Sequence, residues 1–134
     1  MQKNDIIVGF DFDGVIVNSL SVMEKSWSEL CDKYNINIPF SAYKKNIGLK
    51  FNIILENIGV DKYLFEAVHK DYFRGTNYYK NDILLYPEVM QTFESLKEKD
   101  VSTFIITSKP RANTLSLLEI FGIRVELLVC ADDV

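Results

Sequence analysis

The chain has 134 residues, 48% of them hydrophobic and 25% charged, with a formal net charge of −4. That balance fits one ordinary globular domain, or a domain with a modest insert, and excludes a disordered chain, which would be less apolar and more highly charged. It also argues against a nucleic-acid partner, because no basic cluster interrupts the acidic balance.

In chain order, Met1-Gln2-Lys3-Asn4-Asp5 leads into Ile6-Ile7-Val8-Gly9-Phe10, which Asp11 cuts short, so no signal peptide is expected. This run and Leu127 to Ala131 are the longest apolar stretches, at about five residues against roughly 20 for a spanning helix. No membrane segment is expected, and the reading is cytoplasmic. Ile6 to Phe10 reads as a strand buried on both faces, the habit of parallel sheets covered by helices.

From Asn18 to Ile83 the pattern turns helical. Leu20, Met23, Trp27, Leu30 and Tyr34 mark one amphipathic helix. Phe51, Ile54, Leu55 and Ile58 mark another, ended by Gly59. A third is expected from Asp61 to about Phe73, with Leu64, Val68 and Tyr72 on one face. Beyond Leu84, Pro87 occupies a first helical position; Val89, Phe93 and Leu96 follow at i, i+4 and i+7, with Lys97 and Lys99 in the last turn. Thr103 to Ile106 is the second buried strand. A helix with Leu115, Leu118 and Phe121 on one face ends at Gly122, and Val125 to Val129 is the third strand. Helix, strand, helix, strand in this order is the doubly wound, Rossmann-like α/β pattern with a parallel sheet. The expected organisation is an α/β core from residues 1–17 and 84–134, with residues 18–83 as a helical insert.

Two cysteines, Cys31 and Cys130, form no CxxC and read as free thiols. His69 is the single histidine, which removes multi-histidine zinc sites. Carboxylates, hydroxyls and lysines must carry any chemistry. The first strand runs straight into Asp11-Phe12-Asp13-Gly14-Val15. Strand alternation would turn Asp11 and Asp13 to one face and Phe10 and Phe12 to the other. Two carboxylates at the carboxyl end of a buried strand are costly without a compensating cation or proton, and that end is where α/β sheets bind ligands. Such an oxygen-rich, histidine-free site suits Mg²⁺.

The string DFDGVIVNS resembles the first motif of the haloacid dehalogenase-like hydrolases, especially the phosphoglycolate phosphatase and β-phosphoglucomutase branch. Ile47-Gly48-Leu49 and Ile58-Gly59-Val60 are similar to landmarks of that branch's helical cap. Leu85-Tyr86-Pro87-Glu88-Val89 is similar to its return to the core, where many members have Tyr-Pro-Gly-Val. Ile105-Ile106-Thr107-Ser108-Lys109-Pro110 resembles its second motif, and Phe121-Gly122-Ile123 through Ala131-Asp132-Asp133-Val134 its third strand and exit.

The resemblance implies a Mg²⁺-dependent phosphatase acting on a small phosphorylated metabolite. Asp11 corresponds to the nucleophile that forms an aspartyl-phosphate, and Asp13 to the general acid and base. Mg²⁺ is implied at the Asp11 side chain and the Asp13 backbone carbonyl. Thr107 corresponds to the hydroxyl that bonds the transferring phosphoryl group; Ser108 could exchange roles with it. Lys109 has two readings, a solvated loop lysine or a phosphate contact. Lys50 is a candidate substrate contact. Asp132 and Asp133 precede the family's later acidic motif and are left out of the metal site.

Relatives continue with a phosphate-holding lysine or arginine and then a Gly-Asp motif that ligates Mg²⁺; the sequence stops at Val134, before both. Two alternatives therefore stand beside the enzyme: a silent remnant that binds phosphate or a partner, and a receiver-like signalling domain, which the DxDG spacing and long insert oppose. In the family's sheet the first strand is central, so here Ile6 to Phe10 is expected at an exposed edge, open to a dimer partner or a complementing chain.

Overall fold

The computed structural model describes residues 5–134; Met1 to Asn4, on which part of the signal-peptide reading rests, lie outside the described residues. The chain separates into two compact units, residues 1–18 with 84–134 and residues 19–83.

The first unit is a parallel three-stranded α/β sheet. Strand β1 is Ile7–Phe10; the short β2, Val17–Asn18, pairs antiparallel with β3, Leu84–Leu85, where the chain leaves and re-enters this unit. Strands β4, Ser102–Ile106, and β5, Leu127–Val129, complete the main sheet in the order β1-β4-β5. Parallel pairing sets Phe10 beside Ile105 and Ile106 beside Val129, so the ends of β1, β4 and β5 come out together. A Cβ at Gly9 would lie 2.2 Å from the Phe104 ring of the neighbouring strand, so glycine is what lets that ring lie over β1 as it does.

The strands are not all buried on both faces. Ile105 in the central β4 is fully buried, but Ile7 in β1 is 64% exposed and Leu127 in β5 58%. Among the described residues β1 and β5 each have one neighbouring strand in this sheet, and an apolar run cannot say how many neighbours it will find. The third strand also begins at Leu127 rather than Val125, because Val125 and Glu126 belong to the approach from Gly122.

Between these strands run two of the molecule's helices, both in this unit: Val89–Glu98 and Arg111–Phe121. Pro87 is not a first helical residue. It sits in a turn before Val89, and the capping position falls to Glu88 in the left-handed conformation, φ +72°. The second of these helices closes at Gly122, also left-handed at φ +66°, as its position after the apolar face predicts.

The second unit is helical. In chain order it holds α1, Leu20–Tyr34; α2, Phe40–Lys44; α3, Phe51–Ile58; and α4, Phe65–Tyr78. The core helices named above are then α5 and α6. The short α2 carries no periodic signal in the sequence. The expected helix from Asp61 to Phe73 is instead a 3₁₀ turn at Lys62–Leu64 followed by α4, which runs on to Tyr78. Its core is aromatic: Trp27, Tyr43, Phe51 and Tyr72 are buried, with ring centroids 4.8 Å apart for Phe51 and Tyr72 and 5.1 Å for Trp27 and Tyr43. The Trp27 indole N–H donates to the Ile38 carbonyl at 2.9 Å, tying the loop after α1 to that core. His69 packs against Phe51 and Phe73, as a core residue does. Among the described residues no helix is long and apolar enough to cross a membrane.

Candidate active site

Strand β1 ends at Phe10, so Asp11 and Asp13 lie in the loop after it rather than in extended strand. The loop is fixed from within. Phe12 is fully buried, its carbonyl accepts the N–H groups of Val15, Ile16 and Val17, and Gly14, at φ +83°, donates to the Val17 carbonyl at 2.9 Å. A residue with a Cβ would be strained at Gly14, which is why the tight turn needs glycine. Burying Phe12 leaves its neighbours pointing away from the core. Asp11 is exposed, and its Oδ1 accepts the Phe12 N–H at 2.7 Å. Asp13 is half-buried.

At the end of β4 the chain carries Thr107, Ser108 and Lys109. Thr107 is buried, its N–H donates to the Val129 carbonyl, and its hydroxyl oxygen accepts the Lys109 N–H at 3.1 Å. That arrangement leaves the Thr107 hydroxyl proton to be donated elsewhere. Ser108 is half-buried. Lys109 is not a solvated loop lysine: it is 5% exposed, and its ammonium stands 3.2 Å from both carboxylate oxygens of Asp13. The parallel register thus brings Asp11, Asp13, Thr107 and Lys109 to one end of the sheet. Lys50 belongs to the helical unit, exposed at the N-terminal boundary of α3.

The acids after β5 are committed elsewhere. Asp132 accepts the N–H of Arg111 at 2.8 Å, at the start of α6, where a carboxylate satisfies an open backbone donor. Asp133 takes the Arg111 guanidinium in a fork, at 2.5 and 3.3 Å, and also the Cys130 N–H at 2.7 Å. The Arg111 fork, and then the Cys130 N–H, hold the Asp133 carboxyl below the usual carboxylate range. Among the described residues no three His, Cys, Asp or Glu side chains gather as a metal cluster.

Neither thiol competes as a nucleophile. Burial pushes the Cys31 thiol up to about 11, and burial likewise raises Cys130. The pairing of Lys109 with Asp13 joins positions 96 residues apart, so no local pattern in the sequence carries it. The Arg111 fork could have been suspected only from an arginine opening one helix and paired acids after the next strand.

A family model described as haloacid dehalogenase-like hydrolase matches residues 8–134. Two curated relatives are phosphoglycolate phosphatases: one from Haemophilus influenzae, 30% identical over 129 residues, and one from Pasteurella multocida, 28% identical over 129 residues. Each match covers 87% of this chain and 58% of the relative, so the chain spans under two thirds of their length. Among solved structures, a hydrolase from Pseudomonas syringae superposes with a TM-score of 0.87 at 20% identity, covering 96% of this chain and 61% of that one. A haloacid dehalogenase-like family protein from Streptococcus pneumoniae gives 0.80 at 14% identity, covering 93% and 60%. The structural likenesses speak for the fold.

Proposed function

The chain belongs to the haloacid dehalogenase-like hydrolases, and from that premise we propose that it carries the nucleophile-bearing part of a Mg²⁺-dependent phosphatase for a small phosphorylated metabolite. The observation that carries this reading is the meeting of Asp11, Asp13, Thr107 and Lys109 at the carboxyl end of one parallel sheet. A phosphatase needs a nucleophile, a proton carrier and a donor to the phosphoryl oxygens within one small space.

Asp11 is exposed, and its Oδ1 is oriented by the Phe12 N–H, which leaves Oδ2 to attack phosphorus. Attack forms the Oδ–P bond of an aspartyl-phosphate and breaks the bond to the leaving alcohol, whose oxygen takes a proton from the acid form of Asp13, the form that the water step regenerates. Asp13 then accepts a proton from water; the hydroxide formed attacks phosphorus, releasing inorganic phosphate and restoring the Asp11 carboxylate. Thr107, with its hydroxyl proton uncommitted to Lys109, donates to an equatorial phosphoryl oxygen.

The donor set fits a hard divalent cation. The Asp11 carboxylate and the Asp13 backbone carbonyl are oxygen donors, and Mg²⁺ needs only one or two protein carboxylates beside waters and phosphate oxygens. When bound it neutralises charge between the Asp11 carboxylate and the phosphate. By the same family likeness the helical unit is the cap that selects the substrate, with Lys50 as a contact. The relatives' name makes phosphoglycolate the first ester to assay.

The test is hydrolysis of p-nitrophenyl phosphate and phosphoglycolate with Mg²⁺, with and without EDTA, for the wild type and Asp11→Asn. Metal-dependent turnover that falls at least about a thousandfold in Asp11→Asn, with an unchanged thermal melt, is expected. Undiminished turnover in Asp11→Asn would remove it as the nucleophile, and no turnover in the wild type would favour the silent remnant.

A further inference from the structure

A lysine ammonium is among the costliest groups to bury, yet the Lys109 side chain is 4% exposed and the Asp13 side chain facing it 13%. Its backbone is fixed on both sides: the N–H donates to Thr107 Oγ1 at 3.1 Å and the carbonyl accepts the Ala131 N–H at 3.1 Å. Pro110 follows, with its own φ locked, and α6 starts at once. Lys109 is therefore aimed from a rigid seat.

Its target is held as firmly. The ammonium stands equally far, 3.2 Å, from Oδ1 and Oδ2 of Asp13, so it holds the carboxylate head by both oxygens rather than by one corner. The backbone of Asp13 is bridged to Val17 and preceded by the fully buried Phe12. Asp11, two residues earlier, is oriented only through its own neighbour's N–H among the bonds described above. Of the two acids, the one that the phosphatase reading uses as proton carrier is the one clamped from both ends.

We propose that Lys109 is a positioning residue: its ammonium holds the Asp13 carboxylate at the orientation from which Asp13 exchanges protons with the leaving group and the water. This deepens the phosphatase reading and rests on it. A lysine that instead gripped the substrate phosphate would contribute to binding in the ground state and the transition state alike. A lysine that acts through Asp13 contributes to the chemical step alone.

The experiment is steady-state hydrolysis of p-nitrophenyl phosphate by the 134-residue chain, wild type against Lys109→Met and Lys109→Arg, beside calorimetric titration with inorganic phosphate. The expected result is a kcat about a hundredfold lower in Lys109→Met, the scale of one general acid–base group, with KM and phosphate affinity within about threefold. Lys109→Arg keeps the cation and should recover a good part of the loss. A tenfold rise in KM with matching loss of phosphate affinity and kcat retained would overturn the proposal and make Lys109 a phosphate ligand. Thermal melts separate these effects from misfolding, and Lys109→Arg preserves the comparison if Lys109→Met does not fold. Should the wild type show no turnover, the phosphatase reading fails by itself. Crystal structures of wild type and Lys109→Arg or Lys109→Met then decide the positioning: an Asp13 carboxylate that turns away without the ammonium supports it, and one that keeps its orientation in Lys109→Met sinks it.

Discussion

Ser26 and Gly75 mark a close approach of α1 and α4: a methyl group at Gly75 would lie 3.0 Å from Ser26 Oγ and 3.2 Å from its Cβ. The Ser26 hydroxyl is buried there with no hydrogen-bond partner among the described residues. An unpaired buried hydroxyl costs about 1–3 kcal/mol. Ser26→Ala should therefore stabilise the protein by about 1 kcal/mol, helped by alanine's better helix propensity. Gly75→Ala in the wild-type background should gain nothing from the same propensity, since the added methyl meets Ser26. Urea unfolding of both variants is the check; a destabilised Ser26→Ala would mean that the hydroxyl is satisfied in solution.

Glu88 takes the left-handed conformation, φ +72°, at the start of α5. For a residue with a Cβ that region costs roughly 1–2 kcal/mol, most of which glycine avoids. Glu88→Gly should raise stability by about 0.5–1 kcal/mol after glycine's larger entropy loss is subtracted. Glu88→Ala, which keeps the Cβ, should not. The Thr92 hydroxyl donates to the Glu88 carbonyl at 3.0 Å, a backbone bond that both variants retain. Melting temperatures of the two side by side decide the matter.

Burial between Phe51 and Phe73 lowers the pKa of His69 below its ordinary 6.5. The unfolded chain thus binds a proton at a higher pH than the folded one. Between the two pKa values unfolding takes up a proton, so stability from this residue is fully present above pH 6.5 and declines as the pH falls from there to the folded pKa. His69→Phe should flatten the stability profile as the pH falls below about 6.5. Chemical denaturation at several pH values reads this directly, and parallel profiles for the two proteins would contradict it.

Ile7 in β1 is 64% exposed, and among the described residues β1 pairs with β4 alone. An unpaired apolar strand edge is a template for further strand pairing. The 134-residue chain in isolation is expected to associate as its concentration rises, and Ile7→Lys should reduce that association. Light scattering across a concentration series measures it; a wild type that stays monomeric at high concentration removes the expectation.

The amino-acid sequence by itself determined whatever depends on neighbours along the chain. Gly59 and Gly122 ended their helices because an apolar 3.6-residue stripe followed by glycine is a local instruction, and both adopt positive φ. The order of motifs from Asp11 through Thr107 identified the family, and with it the parallel sheet. Tertiary structure decided what depends on residues far apart. The ammonium of Lys109 finds Asp13 only because β1 and β4 pair in parallel, across 96 positions of sequence. Asp132 and Asp133 are set apart from the metal site by their place in the chain, but their actual partner, Arg111, is brought to them only by the start of α6. The same apolar spelling serves the buried Ile105 and the exposed Ile7, because burial is set by how many strands and helices arrive on either side of a run. The run's own composition cannot encode that number.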